Sequence, residues 1–313
     1  MLILRSWIVR PCASWSAPCV CSDEGAAGGA VGGSSCGSGR SMGITDDSRL
    51  GLLSLSMNIF HLISIFAIVN IWLGGCETIT PRQYTAMHVA TPPTIDGRLG
   101  EAAWETAAWT EDFIDIEGPR MKQPAFRTRA KMCWDDTYLY VAADMEEPHL
   151  WGILTDRDAI IYRDNDFEIF IDPDGDRLHY NEYEINVLGT EMDLRMDRPY
   201  RDGGNYDLRW DFAGVRSAVS VGGTINDPSD HDIGWTVEVA IPWSSMADTA
   251  GTACPPNPGD SWRINFSRVQ WPLQIANGMY VKPEGATEDN WVWSPQDAID
   301  MHRPEYWGFV RFE

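Results

Sequence analysis

Basic residues are scarce in this chain: 24 Lys and Arg stand against 46 Asp and Glu, for a net charge of −22 at pH 7. So acidic a surface repels phosphate backbones and anionic headgroups, which argues against nucleic acid as a partner and leaves neutral or cationic ligands. Several enzyme signatures are also missing. The sequence contains no Gly-x-Ser-x-Gly elbow, no phosphate-binding P-loop, no His-Glu-x-x-His motif and no zinc-type Cys/His spacing. It shows no internal repeat and few long helical patterns. What is abundant is apolar and aromatic matter, 44% and 11% of the residues, enough for a sizeable core.

Charge and cysteine are distributed unevenly. Residues 1–76 hold four Arg against Asp23, Glu24, Asp46 and Asp47, so the whole −22 belongs to residues 77–313. From Ile59 to Gly75, in "IFHLISIFAIVNIWLGG", there is no Asp, Glu, Lys or Arg, and the run ends at Cys76. That length is short for a membrane span and suits the apolar region of a secretory signal. A buried helix is the alternative, but the segment has no polar stripe at helical spacing. The tetrapeptide "LGGC" at 73–76 resembles the lipobox of bacterial lipoproteins, in which the cysteine thiol takes the lipid.

This resemblance implies a signal peptide over 57–75, a lipidated Cys76, a tether over 76–83 and one domain over 84–313. Glu77, rather than Asp, follows the cysteine, so the expected destination is export to the outer membrane or the periplasmic face. Residues 1–56, with the Gly/Ser/Cys-rich stretch "GAAGGAVGGSSCGSG", read as a disordered, non-native extension, translation starting at Met57 or Met42. Cys12, Cys19, Cys21 and Cys36 lie in that stretch of chain, leaving Cys133 and Cys254 in the domain. Two separate buried thiols, or one disulfide in an oxidising compartment, are the readings.

Beyond the tether, short runs alternate with a period of two between Gly, Pro, Asn and Asp clusters. In "YLYVAAD", Leu139 and Val141 oppose Tyr138 and Tyr140; in "DFEIFID", Phe167, Ile169 and Ile171 oppose Glu168 and Phe170. "YEINVL", "WTVEVAI", "WRINFSRVQW" and "WGFVRF" follow the same pattern. The expectation is an all-β fold, an antiparallel β-sandwich. Helix is minor: "LGEAAWETA" at 99–107, and the start of another at "PWSSM".

Six segments, in order, resemble the family 9 carbohydrate-binding modules: "TPPTIDGRLGEAAWETA", "CWDDTYLYVAADMEEP", "DNDFEIFIDPDGD", "GWTVEVAIPW", "WRINFSRVQW" and "HRPEYWGFVRF". They span roughly residues 91–313. The resemblance implies a β-sandwich that binds oligo- or polysaccharide without cleaving it. A pyranose offers an apolar face and a belt of hydroxyls, so its site needs an aromatic ring with carboxylates, amides or Arg around it. In family members two tryptophans clamp a terminal sugar. Carried over by position, the first corresponds to Tyr162, the strand glutamate to Glu168, a rim arginine to Glu184 and the second tryptophan to Met301. The lost wall directs attention to Trp291 and Trp293 of "DNWVWSPQ" and to His302. One of these indoles is expected to replace it while the other packs inside. Arg268 shares strand parity with Ile264 and Phe266, so it points inward, where Glu168 or Glu184 could accept its hydrogen bonds. Trp271, which ends the same segment, completes the ligand set.

Other constellations carry other chemistry. Asp172, Asp174 and Asp176 alternate in "DPDGD" and suggest a structural Ca²⁺ site, although position six of an EF-hand loop would be Arg177 and position twelve Tyr183; Pro-Asp-Gly also reads as a hairpin turn. Glu168 and Glu184 on neighbouring strands could form a hydrolase pair. Related β-sandwiches of the DOMON type bind haem through Met and His, for which Met121, Met132, Met192, Met196, Met301, His179 and His302 are candidates. The reading favoured over these is a monomeric, lipid-anchored binding protein that needs no cofactor and supports catabolism of xylan or another plant or algal glycan. Mass spectrometry of the native protein should find a diacylated N-terminal peptide at Cys76; peptides from residues 1–40 in the mature form would sink that processing scheme.

Overall fold

The alternation read from the sequence is realised as two stacked sheets in the computed structural model, which describes residues 79–313. The expectations for the extension, the signal and Cys76 lie outside the described residues. In chain order the first strands are β1 (Gln83–His88), β2 (Ile114–Asp115), β3 (Thr128–Trp134), β4 (Tyr138–Glu146), β5 (Asp166–Asp172), β6 (Asn181–Asn186), β7 (Glu191–Met196) and β8 (Tyr206–Asp207). They continue with β9 (Arg216–Gly222), β10 (Gly234–Pro242), β11 (Ser261–Gln270), β12 (Gln274–Ala276), β13 (Met279–Val281), β14 (Asp289–Val292) and β15 (Gly308–Phe312).

One sheet runs β8-β7-β6-β5-β11-β15-β1 and the other β1-β3-β4-β10-β9. Strand β1 belongs to both: Gln83–Ala86 pair with β15, and Met87 and His88 pair with β3. A strand that changes sheets in this way makes the corner of a sandwich. Both pairings of β1 are parallel, whereas every other ladder is antiparallel. Alternation fixes which side chains share a face but not strand direction, so the sequence could not show this exception. The free edge of β11 is divided, β15 pairing with Ser261–Ile264 and β14 with Ser267–Gln270.

The core between the sheets follows parity. Phe167, Ile169 and Ile171 of β5, with Ile264 and Phe266 of β11, meet Leu139, Val141 and Ala143 of β4 and Val237, Val239 and Ile241 of β10. Each large aliphatic or aromatic side chain buried there is worth about 1.5–3 kcal/mol. Trp291 and Trp293 both project into this layer.

Neither outer face is left bare. The helix α1 (Ala102–Thr106) lies within 99–107, as expected, and sets Trp104 on the second sheet beside Tyr140, Ala142 and Ala240. Glu238 anchors that cover, accepting hydrogen bonds from Trp104 Nε1 at 2.5 Å and from the amides of Asp96 and Gly97 at 2.9 and 2.6 Å. On the first sheet, Phe170, Tyr180, Met192, Leu194, Met196 and Trp307 form a third cluster. The segment "PWSSM" makes one 3₁₀ turn, Trp243–Ser245, rather than a helix. Among the described residues no helix is long and apolar enough to cross a membrane.

The two domain thiols are free. Cys133 is buried under the α1 cover, while Cys254 packs against the inter-sheet core and its Sγ donates to the Trp243 carbonyl at 3.2 Å.

Trp293 sits in the core, edge-on to Tyr84 with ring centroids 6.4 Å apart. A Cβ at Gly308 would overlap the six-membered ring of that indole, so β15 needs glycine there to pass beneath it. Gly308→Ala should cost about 1–3 kcal/mol by overpacking. Urea unfolding would measure the loss, and Trp293→Phe in the same background should recover part of it; an unchanged midpoint would refute the close approach.

Candidate functional site

The hydrophobic layer ends where β11 places Arg268 between the sheets. This guanidinium is 1% exposed and uses all five N–H groups: to Glu147 Oε2 at 2.9 Å, twice to Gln270 Oε1, to Thr128 Oγ1 and to the Glu146 carbonyl. Burial pulls its pKa down, and the Glu147 carboxylate opposes that shift. The expected acceptors, Glu168 and Glu184, are not its partners. They have the opposite parity on β5 and β6 and lie on the outer face of the sheet, so Glu147, at the end of β4, takes that role.

Above this polar floor a groove of about 410 Å³ opens at the end of the sandwich, bordered by Phe126, Glu147, His149, Trp271, Asp289 and Trp291. Trp291 is its deepest wall, stacked 5.1 Å from the Arg268 guanidinium and edge-on to Phe126 at 6.1 Å. Trp271 is half-buried and fixed at both ends: its amide donates to Asn165 Oδ1 and its Nε1 to the Tyr162 carbonyl, both at 2.8 Å. Lys282 caps the indole from 3.5 Å. His149 contacts the Tyr280 hydroxyl of the β12–β13 hairpin at 3.1 Å, and its amide donates to Glu147 Oε1 at 3.0 Å. Ring faces and hydrogen-bonding groups thus converge on one open concavity. Phe126, His149 and Asp289 were not singled out from the sequence, because they come from a loop, the bend that follows β4 and the start of the short strand β14, which only the fold brings together.

Tyr162, Glu168, Glu184 and His302 assemble elsewhere, on the outer face of the first sheet. Tyr162 is exposed on a 3₁₀ turn; its amide donates to Glu184 Oε2 at 3.0 Å. Glu168 and Glu184 stand directly opposite each other across β5 and β6 and are 4% and 1% exposed, so they are floor groups rather than rim acceptors. Burial, then the neighbouring Glu182, pushes the Glu168 carboxyl up to about 8. Burial, followed by repulsion from Glu168 and Asp166, raises Glu184 well above the carboxylate range.

His302 lies against Tyr180, Nδ1 to hydroxyl 2.9 Å, and burial, then Arg201, lowers its pKa to about 3. It is therefore neutral near pH 7, and its 3.7 Å approach to Glu182 is not an ion pair at that pH. Tyr200, which sequence reasoning missed, is exposed beside His302 with ring centroids 4.5 Å apart. Burial, then the charges of Glu182 and its neighbours, raises its hydroxyl. It lies in the glycine-rich stretch "PYRDGGNY", which has no periodicity to mark it.

The wall expected beside Met301 is not supplied by either tryptophan. Met301 packs on the third cluster, on the opposite face of the sheet from Trp291 and Trp293. Asp172, Asp174 and Asp176 do bring carboxylate oxygens within 4.8 Å of one another. Asp172 is nonetheless engaged by the amides of Gly175 and Arg177 at 3.0 Å, and burial raises it to about 7. The haem donors do not gather at the inter-sheet mouth. Met132 is in the inter-sheet core, Met192, Met196, Met301 and His302 are on the outer face, Met121 and His179 are exposed, and none of them lines the groove.

The fold and the groove define a β-sandwich module whose open site is built from rings and neutral or acidic hydrogen-bonding groups. The family model described as "Carbohydrate family 9 binding domain-like" matches residues 95–256, and the chain belongs to this family. Exoglucanase XynX of Acetivibrio thermocellus is 29% identical over 181 residues, 58% of this chain and 14% of that enzyme. Endo-1,4-beta-xylanase A of Thermoanaerobacterium saccharolyticum is 32% identical over 161 residues, 51% of this chain and 12% of that enzyme. The match thus spans a small part of either relative. A candidate carbohydrate-binding protein from Bacteroides uniformis shares the fold, with a TM-score of 0.54 at 14% identity over 75% of this chain and 100% of that one.

Arg268→Ala should destabilise the domain by about 3–5 kcal/mol, because Glu147 would be left buried without its counter-charge. Denaturant unfolding would measure this, and adding Glu147→Gln should restore part of the loss. Equal stability of the Ala variant and the parent would show the pair to be solvated.

Proposed function

We propose that this protein binds carbohydrate, without cleaving it, in the groove at the end of the sandwich. The single observation that carries the reading is the groove's make-up. Trp271 and Phe126 offer surfaces for the apolar face of a pyranose, and His149 and Asp289 stand at the rim as hydroxyl partners, above a buried floor of Trp291, Glu147 and Gln270. A neutral ligand suits a domain of such negative charge. The relatives named as an exoglucanase and a xylanase each contain the matched stretch as a minor part of their length, which supports an accessory binding role on plant cell-wall glycans.

Binding rather than hydrolysis is further supported by Glu168 and Glu184. They are sealed and face one another across adjacent strands, which leaves no room for a glycosidic bond between them. In this reading the protein is exported, anchored by lipid on Cys76, monomeric, and holds polysaccharide for separate hydrolases. It needs no cofactor for binding, and a Ca²⁺ ion in the 172–176 turn would be structural.

A second reading places the sugar against Tyr162 and Tyr200 on the outer face, favoured by the exposure of both rings and by the position of Tyr162 in the family pattern. A glycan array on the mature protein would identify the ligand, and titration of single variants would locate it. Trp271→Ala should weaken binding about tenfold or more, the loss of roughly 1.4 kcal/mol of ring contact, with Tyr162→Ala near parent affinity. The reverse pattern would move the site to the outer face, and full retention by both folded variants would refute both.

A further inference from the structure

The outer face of the first sheet holds acids that sugar binding in the groove does not use. Asp166, Glu168 and Glu184 each place one carboxylate oxygen so that all three lie within 4.8 Å of one another, and the residues are 0%, 4% and 1% exposed. Among the described residues no Lys or Arg forms an ion pair with any of them. The backbone holds two of the carboxylates in place: Asp166 Oδ1 accepts from the Val269 amide at 3.2 Å, and Glu184 Oε2 from the Tyr162 amide at 3.0 Å. Asp166 Oδ2 and Glu168 Oε2 are buried without a hydrogen bond.

A residue outside the acidic group points the same way. Ser267 of β11 stands opposite Glu168 in register and so shares its face of the sheet; it is fully buried, and its hydroxyl completes no hydrogen bond of normal geometry. This buried hydroxyl, beside the Glu168 carboxylate and with no partner outside the group, adds a neutral oxygen donor to an anionic set. Hard divalent cations take all-oxygen shells, and ligands about 2.3–2.6 Å from one Ca²⁺ ion lie no more than about 5 Å apart, a limit that three oxygens within 4.8 Å of one another satisfy. With no nitrogen or sulfur donor in the set, softer metals are disfavoured.

We propose that Asp166, Glu168 and Glu184, with the Ser267 hydroxyl, bind a hard divalent cation of the calcium class beneath Tyr162. This site is independent of the groove and separate from the 172–176 turn. The ion stabilises the sheet by compensating charges that burial and mutual repulsion otherwise oppose.

The test is calorimetric titration of the EDTA-stripped mature protein with CaCl₂, alongside thermal melting. The parent should bind Ca²⁺ saturably and gain about 5 °C or more in Tm at a hundredfold excess over Kd. Glu184→Gln should abolish that binding and Ser267→Ala should weaken it, whereas Asp174→Asn/Asp176→Asn should retain it. If Glu184→Gln does not fold, Ser267→Ala decides. Absence of Ca²⁺ binding in the folded parent overturns the proposal, as does binding that survives both cluster variants or disappears only in the turn variant.

Discussion

The buried guanidinium of Arg268 ties the two sheets together at the point where their apolar core runs out. Its acceptors come from the start of β3, the end of β4 and the end of β11, so one side chain on the first sheet holds the second in place. A charge taken out of water is tolerable only when every donor finds an acceptor. Satisfying it here orients Glu147 and Gln270, and Gln270 Nε2 in turn donates to Glu147 at 3.0 Å. The groove floor is therefore a consequence of how a core charge is neutralised. Trp291 has a firm bed for the same reason, since its ring lies against that guanidinium.

The parity of β5, β6 and β11 separates two chemistries that are adjacent in sequence. Odd-numbered residues of β5 build the inter-sheet core, while Asp166 and Glu168 turn to the other face. On β11, Phe266 and Arg268 face inward and Ser267 outward between them. A single residue of register decides whether a polar group meets the core charge or the acidic floor. Trp271 bridges the two regions, since it lines the groove and its Nε1 holds the turn that carries Tyr162.

Some expectations failed because alternation reports faces and not neighbours. Arg268 was correctly assigned to the interior, yet its partner is Glu147, near in space only because β4 and β11 end together. Trp291 and Trp293 were correctly assigned to one face, but that face is opposite the one carrying Met301, so neither restores the family's second wall there. Tyr200 escaped notice because a glycine-rich turn has no period. Glu168 was legible as an outward-facing carboxylate, whereas the placement of Glu184 beside it and the burial of both exist only in the folded sheet.

The amino-acid sequence by itself determined the strand periodicity, the all-β class, the acidity of the domain and the membership signalled by six ordered segments, because these are local or additive properties. Tertiary structure alone decided that β1 pairs in parallel with both sheets, that the open groove lies beside Trp271 and that three outward-facing acids become a sealed cluster. Those outcomes depend on which distant strands and turns share space, and burial, which sets both exposure and the cost of charge, exists only once the chain has closed on itself.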